Sequence, residues 1–111
     1  MKKVIIAFDV DGTLIDSEGN VNWRQTETLR LLSRAKNVEI VVWSGGGKDY
    51  AESIVRMLKL EKYVKRCASK NYLGKDSEGK HIFEPEFVPD IAFDDIQDCI
   101  LGKTNIIVRE K

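Results

Sequence analysis

Short apolar runs alternate with segments of helical periodicity along the chain. Residues 4–8 (VIIAF) are apolar on both faces, as parallel strands covered from both sides are, and 38–43 (VEIVVW) are rich in β-branched side chains. Weaker strand patterns follow later in the sequence. We predict five strands, at 4–8, 38–43, 64–68, within 87–93 and at 105–108.

Two of the segments between these runs have the signature of helices. Asn22 with Gln25 fits a capping box that begins the first helix, and Asp49 with Glu52 fits a cap for the second. We expect Trp23 to anchor the first helix to the sheet, although beside the long first loop it could instead line the entrance to a ligand site. The predicted inward face of that helix consists of Trp23, Thr26, Leu29, Leu32 and Ala35.

The order of the elements is strand, helix, strand, helix, strand, which predicts a doubly wound, mostly parallel α/β sheet with three layers. Right-handed crossovers are expected to place the two helices so that they sandwich the sheet. Residues 71–86 are polar and rich in turn formers, and they form either a hairpin or a loose loop. We interpret 1–111 as a single domain.

Polar residues collect where the predicted strands end. Such ends gather at one edge of an open α/β sheet, which is where ligands bind in this class of fold. Taken alone, each of these residues is better explained as a cap, a turn or a solvated side chain, but together they favour a site. The residues are Asp9, Asp11, Ser44, Gly45, Lys70, Asp94 and Asp95.

This set of side chains suits phosphate chemistry on a hard metal ion. Mg²⁺ prefers oxygen ligands and commonly takes one or two protein carboxylates, with water and phosphate oxygens completing its shell. The amides of the turn that begins at Gly45, a serine hydroxyl and a lysine can hold the other phosphate oxygens. A carboxylate can also be the nucleophile, forming an aspartyl-phosphate, while a second carboxylate transfers protons.

Taken together, these motifs resemble those of the haloacid dehalogenase-like (HAD) hydrolase superfamily. The segment FDVDGTL matches its first motif, DxDGT, and Ser44 in IVVWSGG matches its second. The acidic pair in IAFDD matches its fourth motif. Its third motif is a lysine, for which Lys70 and Lys75 are both candidates. The resemblance implies a Rossmann-like core and covers nearly the whole chain.

The resemblance implies catalytic roles for four of these residues. Asp9 would be the nucleophile and Asp11 the general acid and base. Ser44, with Gly45, would bind the phosphoryl group, and Lys70 would neutralise charge on Asp9 and the phosphate. Because relatives that keep the second aspartate of the first motif are chiefly phosphatases, Asp11 favours a phosphatase over a dehalogenase.

The resemblance also implies a Mg²⁺ cofactor held by the acidic residues. Asp9 would bind the ion through its carboxylate, and Asp11 through its backbone carbonyl. Asp95 would be a ligand supported by Asp94, although which of these two binds the ion directly stays open. Asp98 is a weaker acidic candidate one turn later.

No cap domain is expected, because only about one helix fits between Asp11 and Ser44. The substrate would be a phosphorylated small molecule or macromolecule, and specificity would come from loops, a partner or a neighbouring subunit that supplies a lid. The alternative is a phosphoryl-binding or regulatory module that keeps the site but turns over little. His81, the only histidine, is not assigned to the site.

Composition bears on the binding partners and the cellular location of the protein. The 18 basic and 18 acidic residues balance, which argues against nucleic acid and gives no attraction to a membrane surface. The apolar run that ends at Phe8 is too short for a signal peptide or a membrane span. Cys67 and Cys99 fit reduced thiols in a cytoplasmic protein.

Overall fold

The computed structural model describes residues 2–96 and 101–109, so Asp98 and Cys99 lie outside the described residues. Cys67 is a buried free thiol. No helix in the described part of the chain combines the length and apolar character needed to cross a membrane. The elements, in chain order, are β1 (Val4–Asp9), α1 (Trp23–Leu32), β2 (Val38–Ser44), α2 (Lys48–Met57), β3 (Arg66–Ser69), β4 (Tyr72–Lys75), β5 (His81–Phe83), β6 (Ile91–Asp94) and β7 (Thr104–Ile107).

Five of the seven strands in the described residues form one parallel sheet in the order β3-β2-β1-β6-β7. The most apolar run of the sequence, β1, is in the middle, because a strand covered on both faces and both edges needs apolar residues at consecutive positions. Phe8 of β1 lies opposite Val42 on one side and Phe93 on the other. The predicted α/β fold class is confirmed.

Both helices pack on the same face of the sheet, so the prediction that they sandwich it is wrong. Leu29 of α1 and Ile54 of α2 belong to one apolar cluster with Phe8 and Ile40. The physical reason lies in the strand order. The two crossovers advance in the same direction, from β1 to β2 and from β2 to β3, so right-handed connections place both helices on one side.

Among the described residues, loops and a hairpin cover the opposite face. Trp43 is fully buried there, and its ring lies 5.2 Å from that of Phe87. Leu101 and Phe83 pack against the same cluster. Trp43 is therefore a core residue of this second face, as an apolar position on a central strand predicts.

The first helix begins as predicted but is anchored differently. The Asn22 side chain accepts a hydrogen bond from the Gln25 amide at 3.3 Å, which makes Asn22 the N-cap. Trp23 is 68% exposed, so the prediction that it anchors the helix is wrong. Among the residues of the helix, only Thr26 and Leu29 are buried.

The second helix begins one residue earlier than its predicted cap. Gly47 is the N-cap, with a φ of +110°, and it makes no side-chain hydrogen bond. Asp49 lies in the first turn instead, where its charge complements the helix dipole. The glycine run after β2 thus leads directly into α2.

Residues 71–86, which the sequence left as a hairpin or a loop, contain the antiparallel hairpin of β4 and β5. Its base is fixed by two hydrogen bonds. The Glu84 amide donates to the Asn71 carbonyl at 3.0 Å, and the Asn71 side-chain amide donates to the Glu84 carbonyl at 2.7 Å. Because Asn71 directly follows Lys70, the hairpin begins at the carboxyl edge of the sheet.

Candidate functional site

The register of the sheet gathers the predicted polar residues at one edge. Phe8 pairs with Phe93, so the next residues along these strands, Asp9 and Asp94, are neighbours. Ser44 pairs with Ser69, which brings Lys70 to the same edge. This is the carboxyl edge of all five parallel strands, where ligands bind in such folds.

Lys70 is the centre of a buried ion-pair network. Its Nζ lies 2.7 Å from Asp9 Oδ1 and 2.9 Å from Asp94 Oδ2, and the residue is 2% exposed. Burial lowers the pKa of Lys70, but the two carboxylates raise it above its ordinary value, so the side chain stays charged. Lys75 lies on the exposed strand β4, outside this network.

Asp9 is nearly buried at the end of β1. Burial raises its pKa, Lys70 lowers it, and the charge of Asp94 raises it again, with a net result well above the ordinary value. An ionised Asp9 is therefore costly in the metal-free protein. A cation close to this carboxylate would remove that cost.

Three carboxylates form a candidate metal centre. Asp9, Asp94 and Asp95 each offer an oxygen, and these oxygens lie within 4.8 Å of one another. If all three are ionised, Lys70 compensates only one of three negative charges, so a divalent cation would balance the cluster. Oxygen ligands of this kind fit Mg²⁺. The side chain of Asp11 is not part of the cluster.

The members of the acidic pair have different surroundings. Asp94 is buried, and besides its contact with Lys70 its Oδ1 accepts a hydrogen bond from the Ile96 amide at 3.1 Å. Asp95 is more exposed, and burial followed by the neighbouring Asp94 raises its pKa. Protein donors thus contact both oxygens of Asp94, whereas Asp95 is exposed and offers an oxygen to the candidate metal centre.

Gly12 makes room for Asp95. Its φ is +84°, a conformation that side chains other than glycine rarely adopt. A Cβ built on Gly12 would overlap the Asp95 carboxylate. The glycine of the DxDGT motif therefore does more than free a turn, because it lets the acid that follows β6 approach the backbone that follows β1.

Ser44 ends β2 with its hydroxyl directed by the following turn. The Gly46 amide donates a hydrogen bond to Ser44 Oγ at 2.9 Å, and the Lys70 amide donates to the Ser44 carbonyl at 3.0 Å. A hydroxyl that accepts one bond keeps its proton for another acceptor. The Ser44 hydroxyl and the Gly45 amide can therefore bind an oxyanion in the adjoining pocket, whereas the Gly46 and Gly47 amides already donate to Ser44.

Asp11 is exposed above the cluster, and Tyr50 holds its carboxylate. The Tyr50 hydroxyl donates to Asp11 Oδ1 at 2.8 Å. Burial, with help from the hydrogen bond to Asp11, raises the pKa of Tyr50 to about 12, so the phenol keeps its proton. Sequence reasoning did not identify this pair. The available signal was that Tyr50 follows the glycine run closely, with two residues between it and Gly47.

The hairpin of β4 and β5 forms the roof of a pocket. Its floor consists of the polar residues at the strand ends, which are Asp9, Asp11, Ser44, Lys70, Asp94 and Asp95. Tyr72, His81 and Phe83 line a pocket of about 410 Å³, whose lining also includes Asp9, Asp11, Ser44 and Lys70. His81 was not assigned to the site from the sequence, yet its Nδ1 lies 2.9 Å from the Tyr72 hydroxyl. An alternating strand pattern at 81–83, with its first and third residues inward, was the signal for this placement.

The fold and site together define a parallel α/β protein with an acidic centre and a buried lysine at the carboxyl edge of its sheet. Comparison with protein families matches residues 6–110 to the haloacid dehalogenase-like hydrolases. The chain belongs to this family of hydrolases. No curated protein and no solved structure matches it.

Proposed function

We propose that the protein is a Mg²⁺-dependent phosphatase that hydrolyses a phosphate monoester through an aspartyl-phosphate on Asp9. One observation carries the proposal. Asp9 ends a buried strand with Lys70 at 2.7 Å, and Asp94 and Asp95 lie beside it in a carboxylate cluster that could hold a cation. A nucleophilic carboxylate needs such positive neighbours, because the phosphate that it attacks is itself an anion.

Each residue has a step that its position supports. Asp9 attacks phosphorus and takes over the phosphoryl group, while the Ser44 hydroxyl, the Gly45 amide and Lys70 bind the phosphoryl oxygens. Asp11, held by Tyr50, protonates the departing oxygen and then takes a proton from the water that hydrolyses the aspartyl-phosphate. This use of Asp11 first as an acid and then as a base restores the starting state.

We propose Asp9, Asp95 and the Asp11 carbonyl as the residues that hold the ion, with Asp94 supporting Lys70. The exposure of Asp95 and the two occupied oxygens of Asp94 support this assignment. When bound, Mg²⁺ would compensate the charges of the phosphate and Asp9 and would align them. Cytoplasmic location and a lid from a neighbouring subunit stay predictions.

The test is phosphate release from a panel of aryl, sugar, nucleotide and peptide phosphates, with Mg²⁺ and with a chelator. We expect Mg²⁺-dependent turnover of at least one ester. Absence of turnover across the panel with metal present would overturn the phosphatase proposal.

The alternative is a low-turnover phosphoryl-binding module. The burial of Asp9 favours it, since water must reach the aspartyl-phosphate for turnover. The lifetime of the phosphoenzyme after labelling with acetyl phosphate separates the two. Decay within seconds supports the enzyme, whereas an aspartyl-phosphate that lasts for hours supports the module.

A further inference from the structure

We propose that the hairpin of β4 and β5 is the recognition element for the leaving group, and that it selects phosphate esters of planar aromatic groups. The inference rests on the proposed phosphatase activity and specifies its substrate class. It follows from three features of the pocket: where the hairpin touches the phosphate-binding turn, what its side chains present, and how they are held.

The hairpin adjoins the proposed phosphoryl position without a gap. A Cβ built on Gly45 would lie 3.1 Å from Phe83 Cε1 and 3.2 Å from Tyr72 Cβ. On its other side, the Phe83 ring centroid lies 4.5 Å from Lys70 Nζ. The group esterified to a phosphate bound by Gly45 and Lys70 would therefore lie beside these rings.

The roof presents mostly carbon surface. The Tyr72 and Phe83 ring centroids are 5.1 Å apart with planes inclined at 50°, and Ile96 completes this part of the lining. Among the described lining residues, the polar groups of the floor are those proposed to bind the phosphate and the metal. The remaining polar groups are the Tyr72 hydroxyl and His81, which already contact each other.

Such a surface suits one class of leaving group better than others. A sugar or another polyol needs several hydrogen-bond partners when it leaves water, and the roof supplies one polar pair. An aromatic ring gains from packing against ring faces and edges, by about 0.5–1.5 kcal/mol beyond the area that it buries, which is roughly a 2- to 12-fold effect on a rate or a binding constant.

The hairpin is also anchored by hydrogen bonds, which allows it to discriminate between leaving groups. Its base is fixed by the Asn71 and Glu84 hydrogen bonds, and the Glu86 carboxylate accepts from the Ser69 amide at 2.7 Å. A roof fixed directly beside Lys70 keeps its rings in place before substrate arrives, which lowers the ordering cost of binding.

The experiment compares benzyl phosphate with cyclohexylmethyl phosphate in the Mg²⁺ protein. Both release a primary alcohol of similar size, so the rings differ while the chemistry of the departing oxygen is matched. We expect kcat/KM to favour the benzyl ester by about 3- to 10-fold, and glycerol phosphate to be poorer than both. Equal values for the two rings, or a preference for glycerol phosphate, would overturn the proposal.

Two variants test whether the side chains of the hairpin cause the preference for the benzyl ester. Tyr72→Leu and Phe83→Leu should each reduce the benzyl preference towards one. Ile82→Ala is the matched control, because Ile82 lies between two pocket residues on β5 but does not line the pocket. Tyr72 is 41% exposed, so Tyr72→Leu remains informative if Phe83→Leu disturbs folding. A preference that survives both substitutions contradicts the assignment.

A binding measurement keeps this inference separate from the proposed activity. Benzylphosphonate and cyclohexylmethylphosphonate cannot be hydrolysed, and their Kd values with Mg²⁺ can be measured by calorimetry. Tighter binding of the benzyl compound that Tyr72→Leu removes supports the hairpin even if no ester turns over, in which case only the phosphatase proposal fails. Equal Kd values overturn the hairpin proposal alone.

The aromatic group has two sources, a small phenol and the phosphorylated tyrosine of a peptide. Free phosphotyrosine and a phosphotyrosyl peptide distinguish them. A higher kcat/KM for the peptide indicates a macromolecular substrate, and a lower one indicates a small molecule. If neither is preferred over the corresponding phosphoserine compound, the aromatic assignment fails.

Discussion

The floor and the roof of the same pocket are built in opposite ways. The floor consists of charged residues at the ends of parallel strands, where Asp9, Lys70 and Asp94 are all at most 4% exposed. The roof is a two-stranded hairpin whose aromatic side chains are partly exposed and which belongs to a polar stretch of sequence. The chemistry and the choice of substrate are thus assigned to different parts of the chain.

This difference between floor and roof predicts that substitutions in the two regions have different effects on the kinetics. Changes to the floor should alter the rate for every phosphate ester by the same factor, because all esters share the phosphoryl group. Changes to the roof should alter the ratio between esters. A floor variant that changes substrate preference, or a roof variant that slows every ester equally, would break the distinction.

The largest effect is expected for Asp9→Asn. The amide cannot act as the nucleophile, so phosphate release should fall by at least about 10⁴-fold with any ester, and no phosphoenzyme should form. Asp49→Asn is the matched control, since Asp49 is an exposed residue in the first turn of α2. Residual turnover close to that of the unmodified protein would exclude Asp9 as the nucleophile.

The same variant should be more stable than the parent when metal is absent. The pKa of Asp9 is higher in the folded chain than in the unfolded chain, so protonated Asp9 favours the folded state at acid pH. This contribution is lost as the pH rises through the folded-state pKa. Urea unfolding with a chelator should therefore show an advantage for Asp9→Asn that grows towards neutral pH, to about 1 kcal/mol. A constant or shrinking advantage would contradict the raised pKa.

Lys70→Met is expected to come next. It removes the cation between Asp9 and Asp94 and leaves two buried carboxylates without it, which should cost about 3–5 kcal/mol in the metal-free protein. Turnover should fall by about 10²- to 10³-fold for all esters. Lys75→Met is the control that decides between the two lysines of the sequence interpretation, and it should leave both the free energy of unfolding and turnover near their original values.

The floor could largely be predicted from the sequence, because strand ends are visible in it. The apolar runs identify where β1 and β2 end, and a parallel sheet brings such ends together whatever the loops do. The side of the sheet that each helix covers could not be predicted in this way. It depends on the direction in which successive strands are added, which periodicity does not record.

The roof could be predicted from the sequence only in part. The sequence DSEG occurs at 16–19 and again at 76–79, and both copies form the same turn. In each, the aspartate Oδ1 accepts from the amides two and four residues on, and the glycine has a φ of +85° or +81°. Local chemistry thus predicts the turn. Only tertiary packing brings the hairpin of β4 and β5 over Lys70, so Tyr72 and His81 could not be assigned to the pocket.

Asp95→Asn tests the metal side of the floor with a smaller effect. Mg²⁺ at about ten times its Kd should stabilise the parent by about 1.4 kcal/mol, seen as a rise in Tm. Loss of the Asp95 carboxylate should weaken Mg²⁺ binding by at least about tenfold and remove most of that rise. Asp94→Asn is the contrasting variant, because its main effect should be lower stability without metal. The reverse pattern would make Asp94 the direct ligand.

The smallest effect is expected for Tyr50→Phe, which removes the hydrogen bond to Asp11 and little else. One such bond corresponds to about a 3- to 10-fold loss, here in kcat, since Tyr50 orients the acid rather than binding substrate. Benzyl and polyol esters should lose the same factor, which would place Tyr50 with the floor. In an Asp11→Asn background Tyr50→Phe should have no further effect. A loss that persists there, or that falls mainly on KM for one ester, would assign Tyr50 to substrate recognition instead.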